Sequence, residues 1–283
     1  PSLDRWRDEL PDQFFAAGIS EQNAINFASG LAANGKKVYV YFMASWAARC
    51  FEQVRYSCAM ANIPITILGN GVGLGYAPAG PAHEPNEDIS YMRSLCGIEI
   101  ISPANSEVSS ALVDHTLENP KLRYLRLERK HASEMDNAYN NIDSSFLNDG
   151  ATFAKSNQEK EVCIVSSGYL LGRALNVAHR LDKEGIKTSV LDLFKIKPLN
   201  TNSISQTISS FDHVVTLEEQ TLSGGFGSAI CEAINDSGVN KNVLRIGLPE
   251  RYIFENGTRD HLLNTNGLSE EDLYNKILKH VKR

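Results

Sequence analysis

The chain has 283 residues, of which 42% are hydrophobic and 22% charged, a length that suits two domains and a composition that excludes whole-chain disorder. Its 28 basic and 34 acidic residues leave a net charge of −6, so no attraction to a nucleic-acid backbone or an anionic membrane surface is built in. Five cysteines (Cys50, Cys58, Cys96, Cys163, Cys231) are scattered without a Cys-x-x-Cys pair or clustered histidines. That usage excludes a disulfide framework and a structural zinc, leaves no metal ligands to name, and fits a reducing, cytoplasmic compartment.

The sequence opens at Pro1 without a methionine, and its charged start, Pro1-Ser2-Leu3-Asp4-Arg5-Trp6, is unlike a signal peptide. Residues upstream of Pro1 are therefore expected. A helix is expected after Ser20, a candidate cap, ending near Gly35. A Val- and Tyr-rich strand follows over 37–42, then a helix over 46–62 with Phe51, Val54 and Cys58 at helical spacing. A short apolar strand over 63–68 runs into a long loop over 70–86. Residues 56–83 carry no Asp, Glu, Lys or Arg, but Pro64, Pro78, Pro81 and five glycines exclude a membrane helix there. The next round is a helix over 88–95, a strand over 98–102, a helix over 106–117 and a strand over 122–127.

Between 130 and 160 the pattern lapses into Asn, Asp, Ser and Lys, as expected of a linker. Alternation then resumes: strands over 161–166, 187–193, 213–217 and 243–246 interleave with helices over 169–183, 204–208 and 225–235. A last helix, capped by Ser269, runs to about Val281. Alternating strands and helices imply an α/β chain of two doubly wound domains, each a mostly parallel sheet flanked by helices. The expected boundaries are 1–135, a linker over 136–159, and 160–283.

Several words stand in order along this frame. Gly18-Ile19-Ser20-Glu21-Gln22-Asn23 comes first, then Gly30-Leu31-Ala32, Phe51-Glu52-Gln53-Val54-Arg55 and Gly80-Pro81-Ala82-His83-Glu84-Pro85. Ser102-Pro103-Ala104, Lys197-Pro198-Leu199, Glu218-Glu219-Gln220 and Gly224-Gly225-Phe226-Gly227 follow. Each is weak alone, but the ordered set resembles the transketolase family across nearly the whole chain, the first half its pyrimidine-binding domain and the second its C-terminal domain.

The resemblance implies thiamine diphosphate as cofactor. Its aminopyrimidine is activated when a buried, protonated carboxyl group hydrogen-bonds a ring nitrogen, and Glu21 matches that position. An acid at a helix start is otherwise ordinary decoration. Phe42 and Trp46 are the candidates for stacking on the pyrimidine, with sheet or helix core as the alternative for each. His83 matches the histidine that contacts the oxygen of the covalent intermediate. Arg129 matches a phosphate-gripping arginine and Ser2 a phosphate-contacting serine, both on the substrate side. The Gly224 to Gly227 turn lacks dinucleotide spacing and is expected to serve packing.

Two departures from the family pattern put the substrate in question. Ala79 stands where transketolases carry an acid that reads the donor hydroxyl, and Asn70-Gly71-Val72 stands where a basic residue is common. The Gly-Asp-Gly to Asn word that holds the diphosphate through Mg²⁺ is absent from this sequence. The resemblance therefore implies the C-terminal subunit of a split enzyme, two copies joining two of an N-terminal subunit that holds Mg²⁺ and the diphosphate in an α2β2 assembly, or else a section of one longer chain. The implied activity is transfer of a two-carbon ketol unit from a ketose or ketose phosphate to an aldose. A deoxyxylulose phosphate synthase-like or a 2-oxoacid dehydrogenase beta-subunit-like enzyme is the alternative, and an assembly subunit without a complete site the third.

Overall fold

The computed structural model describes residues 3–130, 135, 139 and 142–282. After α1 (Asp4–Glu9) and α2 (Glu21–Ala33), β1 (Val38–Met43) starts a sheet. A short 3-10 turn (Ala44–Ala48), α3 (Phe51–Gln53) and a π-helical turn (Val54–Ala59) lead to β2 (Ile65–Asn70). The one long helix expected over 46–62 is thus broken into three winds, the last wide enough that Met60 N–H donates to Arg55 O at 2.9 Å. Then come α4 (Asp88–Arg93), β3 (Glu99–Ile101), α5 (Ser106–Glu118) and β4 (Arg123–Leu127). These strands run parallel in the order β1-β2-β4-β3.

The stretch expected as a linker is partly structured. Asp143 caps α6 (Ser144–Asp149), Gly150 ends it in the left-handed region, and β5 (Thr152–Lys155) joins the second sheet as an antiparallel edge. Every residue of β5 is half-buried, so the strand lacks the apolar run by which a strand buried on both faces announces itself. The buried runs in this half are β6 (Val162–Ser166) and β7 (Thr188–Asp192), buried at every position. Between them, α7 (Leu170–Lys183) lays Leu170, Leu171, Ala174, Leu175, Ala178 and Leu181 on the sheet.

Beyond β7, the chain makes a strand that sequence periodicity does not announce. β8 (Lys195–Lys197) leaves the second half and pairs antiparallel with β3 at the edge of the first sheet. After α8 (Thr201–Ser209) come β9 (His213–Thr221), α9 (Phe226–Asp236) and β10 (Val243–Leu248), completing the order β10-β9-β6-β7-β5. Helices α10 (Arg259–Leu263) and α11 (Glu270–Val281) close the chain, and Ser269 caps α11 by accepting from Asp272 N–H at 3.0 Å. At α2 the expected cap is not made: the Ser20 hydroxyl donates back to Ala17 O instead. Among the described residues no helix is long and apolar enough to cross a membrane.

One polar network joins the halves. Asp88, with no exposed surface, accepts from Arg126 Nε at 2.8 Å and Nη2 at 3.0 Å, from Tyr124 Oη at 2.8 Å and from Gln220 Nε2 at 2.9 Å. Arg126 also donates to Ser102 Oγ at 3.0 Å, and Gln220 to Pro85 O at 3.1 Å. Tyr124 lies across β2 at Gly69, where a Cβ would stand 2.5 Å from the ring. Gly69→Ala is therefore expected to destabilise the fold by about 1–3 kcal/mol through overpacking of a ring that cannot turn aside. A denaturant midpoint equal to that of the parent chain would contradict it.

Three buried carboxyls sit far above their usual range. Burial pushes Glu84 up to about 7, with the Glu219 and Glu255 carboxylates adding to it. Burial likewise raises Asp192 to about 7 against the Tyr139 hydroxyl, and Glu218 to about 7 against Gly227 N–H and Arg245. A raised acid binds its proton more tightly folded than unfolded, so its stabilisation is present below the unfolded pKa and is lost as pH rises through about 7. Each tenfold difference in proton affinity is about 1.4 kcal/mol. Thermal unfolding of the chain from pH 5 to 8 is expected to show Tm falling with pH, and Glu84→Gln is expected to flatten part of that slope; a Tm that rises over this range would refute the expectation.

Candidate active site

A helix that precedes and packs antiparallel on a strand has its N-terminus at that strand's carboxyl end. Glu21, first residue of α2, therefore lies at the same rim of the first sheet as the segments that leave β1, β2 and β4. That rim is where ligands bind in open parallel sheets. The Glu21 residue is 8% exposed and its Oε2 has no hydrogen-bond partner, although Arg49 Nη1 stands 3.4 Å away in an ion-pair contact. A buried oxygen without a donor is costly unless something fills the role.

His83 ends a short 3-10 turn, Pro81–His83, inside the loop that leaves β2. Its N–H donates to Gly80 O at 2.9 Å, while its buried Nδ1 has no partner. The imidazole meets the half-buried Trp46 edge-on, ring centroids 5.6 Å apart, and Tyr76 at 6.4 Å. Tyr76 is fixed from below by Asn70 Nδ2, which donates to its hydroxyl at 3.0 Å. Above its ring, at 4.3 Å, lies the guanidinium of the exposed Arg129, which also reaches Gly75 O at 3.4 Å. Trp46, His83, Tyr76 and Arg129 thus form one continuous wall. Arg49, whose N–H donates to Trp46 O at 3.0 Å, links that wall to Glu21.

Four of the sequence candidates come together here: Glu21, Trp46, His83 and Arg129. Phe42 does not. It is 7% exposed and packed in an apolar core, because the pleat of β1 turns Val40 and Phe42 to the same buried side while Tyr41 faces out. Ser2 lies outside the described residues. Ala79 is exposed, close to the turn that carries His83.

Tyr76 and Asn70 are additions that the motifs did not point to as functional. An aromatic seven residues before His83 in an uncharged Gly- and Pro-rich loop was the available signal for Tyr76. The Gly224 to Gly227 turn closes on protein, not on a ligand: Gly227 N–H donates to Glu218 Oε1 at 3.2 Å, and a Cβ on Gly225 would stand 2.1 Å from Glu218 Oε2. Among the described residues no group of three or more His, Cys, Asp or Glu side chains could hold a metal ion.

Glu21 Oε2 and His83 Nδ1, neither with a hydrogen-bond partner, and the half-buried Trp46 beside His83 suit an aromatic ring whose nitrogen can share a proton with a carboxyl group, so these residues fit the pyrimidine half of thiamine diphosphate.

Comparison with known proteins gives the frame a family. Residues 3–134 match the model of the transketolase pyrimidine binding domain, and residues 152–273 that of the transketolase C-terminal domain. The chain is 32% identical to a 1-deoxy-D-xylulose-5-phosphate synthase of Halothermothrix orenii over 99% of this chain and 43% of that protein. It thus spans less than half the length of several curated relatives it matches. It is 29% identical to one subunit of the apulose-4-phosphate transketolase of Phocaeicola vulgatus, over 100% of this chain and 88% of that subunit. Among solved structures it is similar to a split gene transketolase described as an inactive beta4 tetramer, with a TM-score of 0.86 and 27% identity over 100% of this chain and 89% of that chain. The chain belongs to the transketolase family, whose members use thiamine diphosphate, and carries its pyrimidine-binding domain followed by its C-terminal domain.

Proposed function

We propose that this chain supplies the pyrimidine side of the active site of a transketolase-like transferase, which moves a two-carbon ketol unit from a ketose or ketose phosphate to an aldose. The observation that carries the reading is the pair of buried atoms without a hydrogen-bond partner, Glu21 Oε2 and His83 Nδ1, joined through Arg49, which makes an ion-pair contact with Glu21, and Trp46 at the carboxyl rim of the first sheet. Glu21 would hold a proton between its carboxyl oxygen and the cofactor's ring nitrogen. Trp46, whose ring is braced edge-on by His83, would present the stacking face. His83 would donate a hydrogen bond to, or shuttle a proton at, the reacting substrate oxygen. Arg129, exposed and held over Tyr76, would grip a substrate phosphate. When bound, thiamine diphosphate supplies the carbon that adds to the donor carbonyl.

Mg²⁺ and the diphosphate are assigned to an N-terminal transketolase part, either a partner subunit in an α2β2 assembly or a preceding section of a longer chain. The surface beside Glu21 supports such a contact: Ile19 is 88% exposed, and Phe15, Phe27, Tyr56 and Met60 are exposed with it. The Phocaeicola vulgatus relative is one subunit of its transketolase, which supports a partner, and the split gene transketolase forms a beta4 tetramer, which supports self-association.

A second reading, a deoxyxylulose phosphate synthase-like enzyme, is favoured by the similarity to the Halothermothrix orenii protein and by the apolar Ala79. Donor specificity separates the two. Assayed with the diphosphate-binding part, ketose phosphates or hydroxypyruvate are expected to serve as donors and pyruvate is not; turnover of pyruvate alone would establish the second reading instead.

Glu21→Gln is expected to lower kcat about 100-fold or more, to weaken thiamine diphosphate binding measured calorimetrically, and to leave the circular dichroism spectrum unchanged. Turnover and cofactor affinity near those of the parent enzyme would remove Glu21 from its role.

A further inference from the structure

No residue of the second half stands in the wall formed by Trp46, His83, Tyr76 and Arg129, yet one of its arginines holds that wall from behind. Arg259, on α10, donates through Nη1 to Glu128 Oε2 at 2.7 Å, and through Nε and Nη2 to Glu219 Oε1 and Oε2 at 2.9 and 2.6 Å. Its guanidinium lies 3.9 Å from the centre of the Tyr169 ring, and its side chain is 11% exposed against 7% and 9% for the two carboxylates. Both carboxylates reach onward. Glu219 Oε1 accepts the backbone N–H of Leu74 at 2.8 Å, and Glu128 Oε1 accepts that of Tyr169 at 3.2 Å.

The two acids are not spread at random along the chain. Glu128 immediately precedes Arg129 at the end of β4, and Leu74 stands two residues before Tyr76. One guanidinium therefore restrains both segments whose side chains meet where Arg129 lies over Tyr76. The contact is close-fitted: Gly73, at φ +55°, would place a Cβ 2.7 Å from the Glu219 carboxyl carbon. Gly73, Glu128, Glu219 and Arg259 line one side of a cavity of about 20 Å³ that Arg126, Glu218 and Gln220 also line, room for about one water. A planar fork with five fixed donors can satisfy two carboxylates in this geometry, whereas an ammonium acts as a point charge.

We propose that Arg259 is a positioning residue of the candidate active site, through which the C-terminal domain sets the placement of Tyr76 and Arg129 and so the affinity for the phosphorylated end of the substrate. The proposal rests on the assignment of the His83 rim as the active site and of Arg129 to substrate phosphate. Arg259 touches neither substrate nor cofactor. Its effect passes along Glu219 to Leu74 and along Glu128 to its neighbour Arg129.

Hydrogen exchange on the intact chain tests the positioning without requiring activity. In Arg259→Gln the amides of residues 74–76 are expected to exchange about tenfold faster or more, while those of β6 and β7 change less than about twofold, since a lost local restraint opens one segment and not the core. Arg259→Lys is expected to fall between parent and Gln variant. Arg173→Gln is the control, because Arg173 is equally buried and bonds Asp260 and Leu268 O within the second half; it is expected to lower Tm while leaving residues 74–76 as protected as in the parent.

In the enzyme assembled with its diphosphate-binding part, Arg259→Gln is expected to raise KM for the phosphorylated substrate about fivefold or more with kcat within about twofold, the signature of lost binding. Unchanged exchange at 74–76, acceleration spread equally over the core, the same local loss in Arg173→Gln, or an unchanged KM would each overturn the proposal. If Arg259→Gln does not fold, Glu219→Gln, which keeps the shape and removes the charge, is read by the same criteria. A parent enzyme that never turns over argues against the transketolase-like function, and the exchange measurement still decides the role of Arg259.

Discussion

Asp88 is a carboxylate with no exposed surface whose two oxygens accept from Arg126, Tyr124 and Gln220, and whose Oδ1 also takes the Ile89 N–H at 2.9 Å. A buried charge of this kind is tolerated only when every lone pair is matched, because removing one partner leaves the full desolvation cost behind. The donors come from the start of α4, from two alternate positions of β4, Tyr124 and Arg126, and from β9 in the other half of the chain. Its geometry therefore fixes how the two sheets meet, and the loop over 70–86 has to run out along the seam. Gln220 also holds Pro85 O at 3.1 Å, and Thr221 N–H holds Asn86 O at 3.0 Å, so the base of the His83 turn is tied to the second half directly.

The same seam carries β8, a strand belonging by sequence to the second half that extends the first sheet. Three kinds of contact thus cross between the halves, a backbone ladder at one edge, a shared apolar core and a polar network beside the candidate site. With the network, Arg259 and its two carboxylates lie behind the loop that bears Tyr76. The pyrimidine-binding and C-terminal domains of this chain act as one packed unit at that seam, which is why residues far apart in sequence, such as Leu74 and Glu219, control a shared segment.

Much of the architecture is legible in the sequence because it depends on local patterns. The buried parallel strand β6 is a nearly continuous apolar run, and α7 repeats its apolar residues at helical spacing. The elements that escape, β5 and β8, are edge strands whose partners lie elsewhere in the chain, and their own residues are mixed or charged. The break of the helix over 46–62 into three winds has no local signal either: Phe51, Val54 and Cys58 keep helical spacing through it, with Val54 and Cys58 buried in the core. At the site, Glu21 and His83 are readable from words. The sorting of Phe42 from Trp46 is not, because it depends on which face of β1 is covered.

The sequence by itself determined the alternation of strands and helices, the family, and the candidate site residues, because each of these is written in nearest-neighbour patterns or in short ordered motifs. The tertiary structure alone decided which of those side chains meet. It left Glu21 Oε2 and His83 Nδ1 without hydrogen-bond partners, buried Phe42, set Tyr76 between His83 and Arg129, and placed Arg259 against acids 40 and 131 residues away. Those outcomes are set by long-range packing and by the need to pair buried charges, constraints that no local stretch of the chain contains.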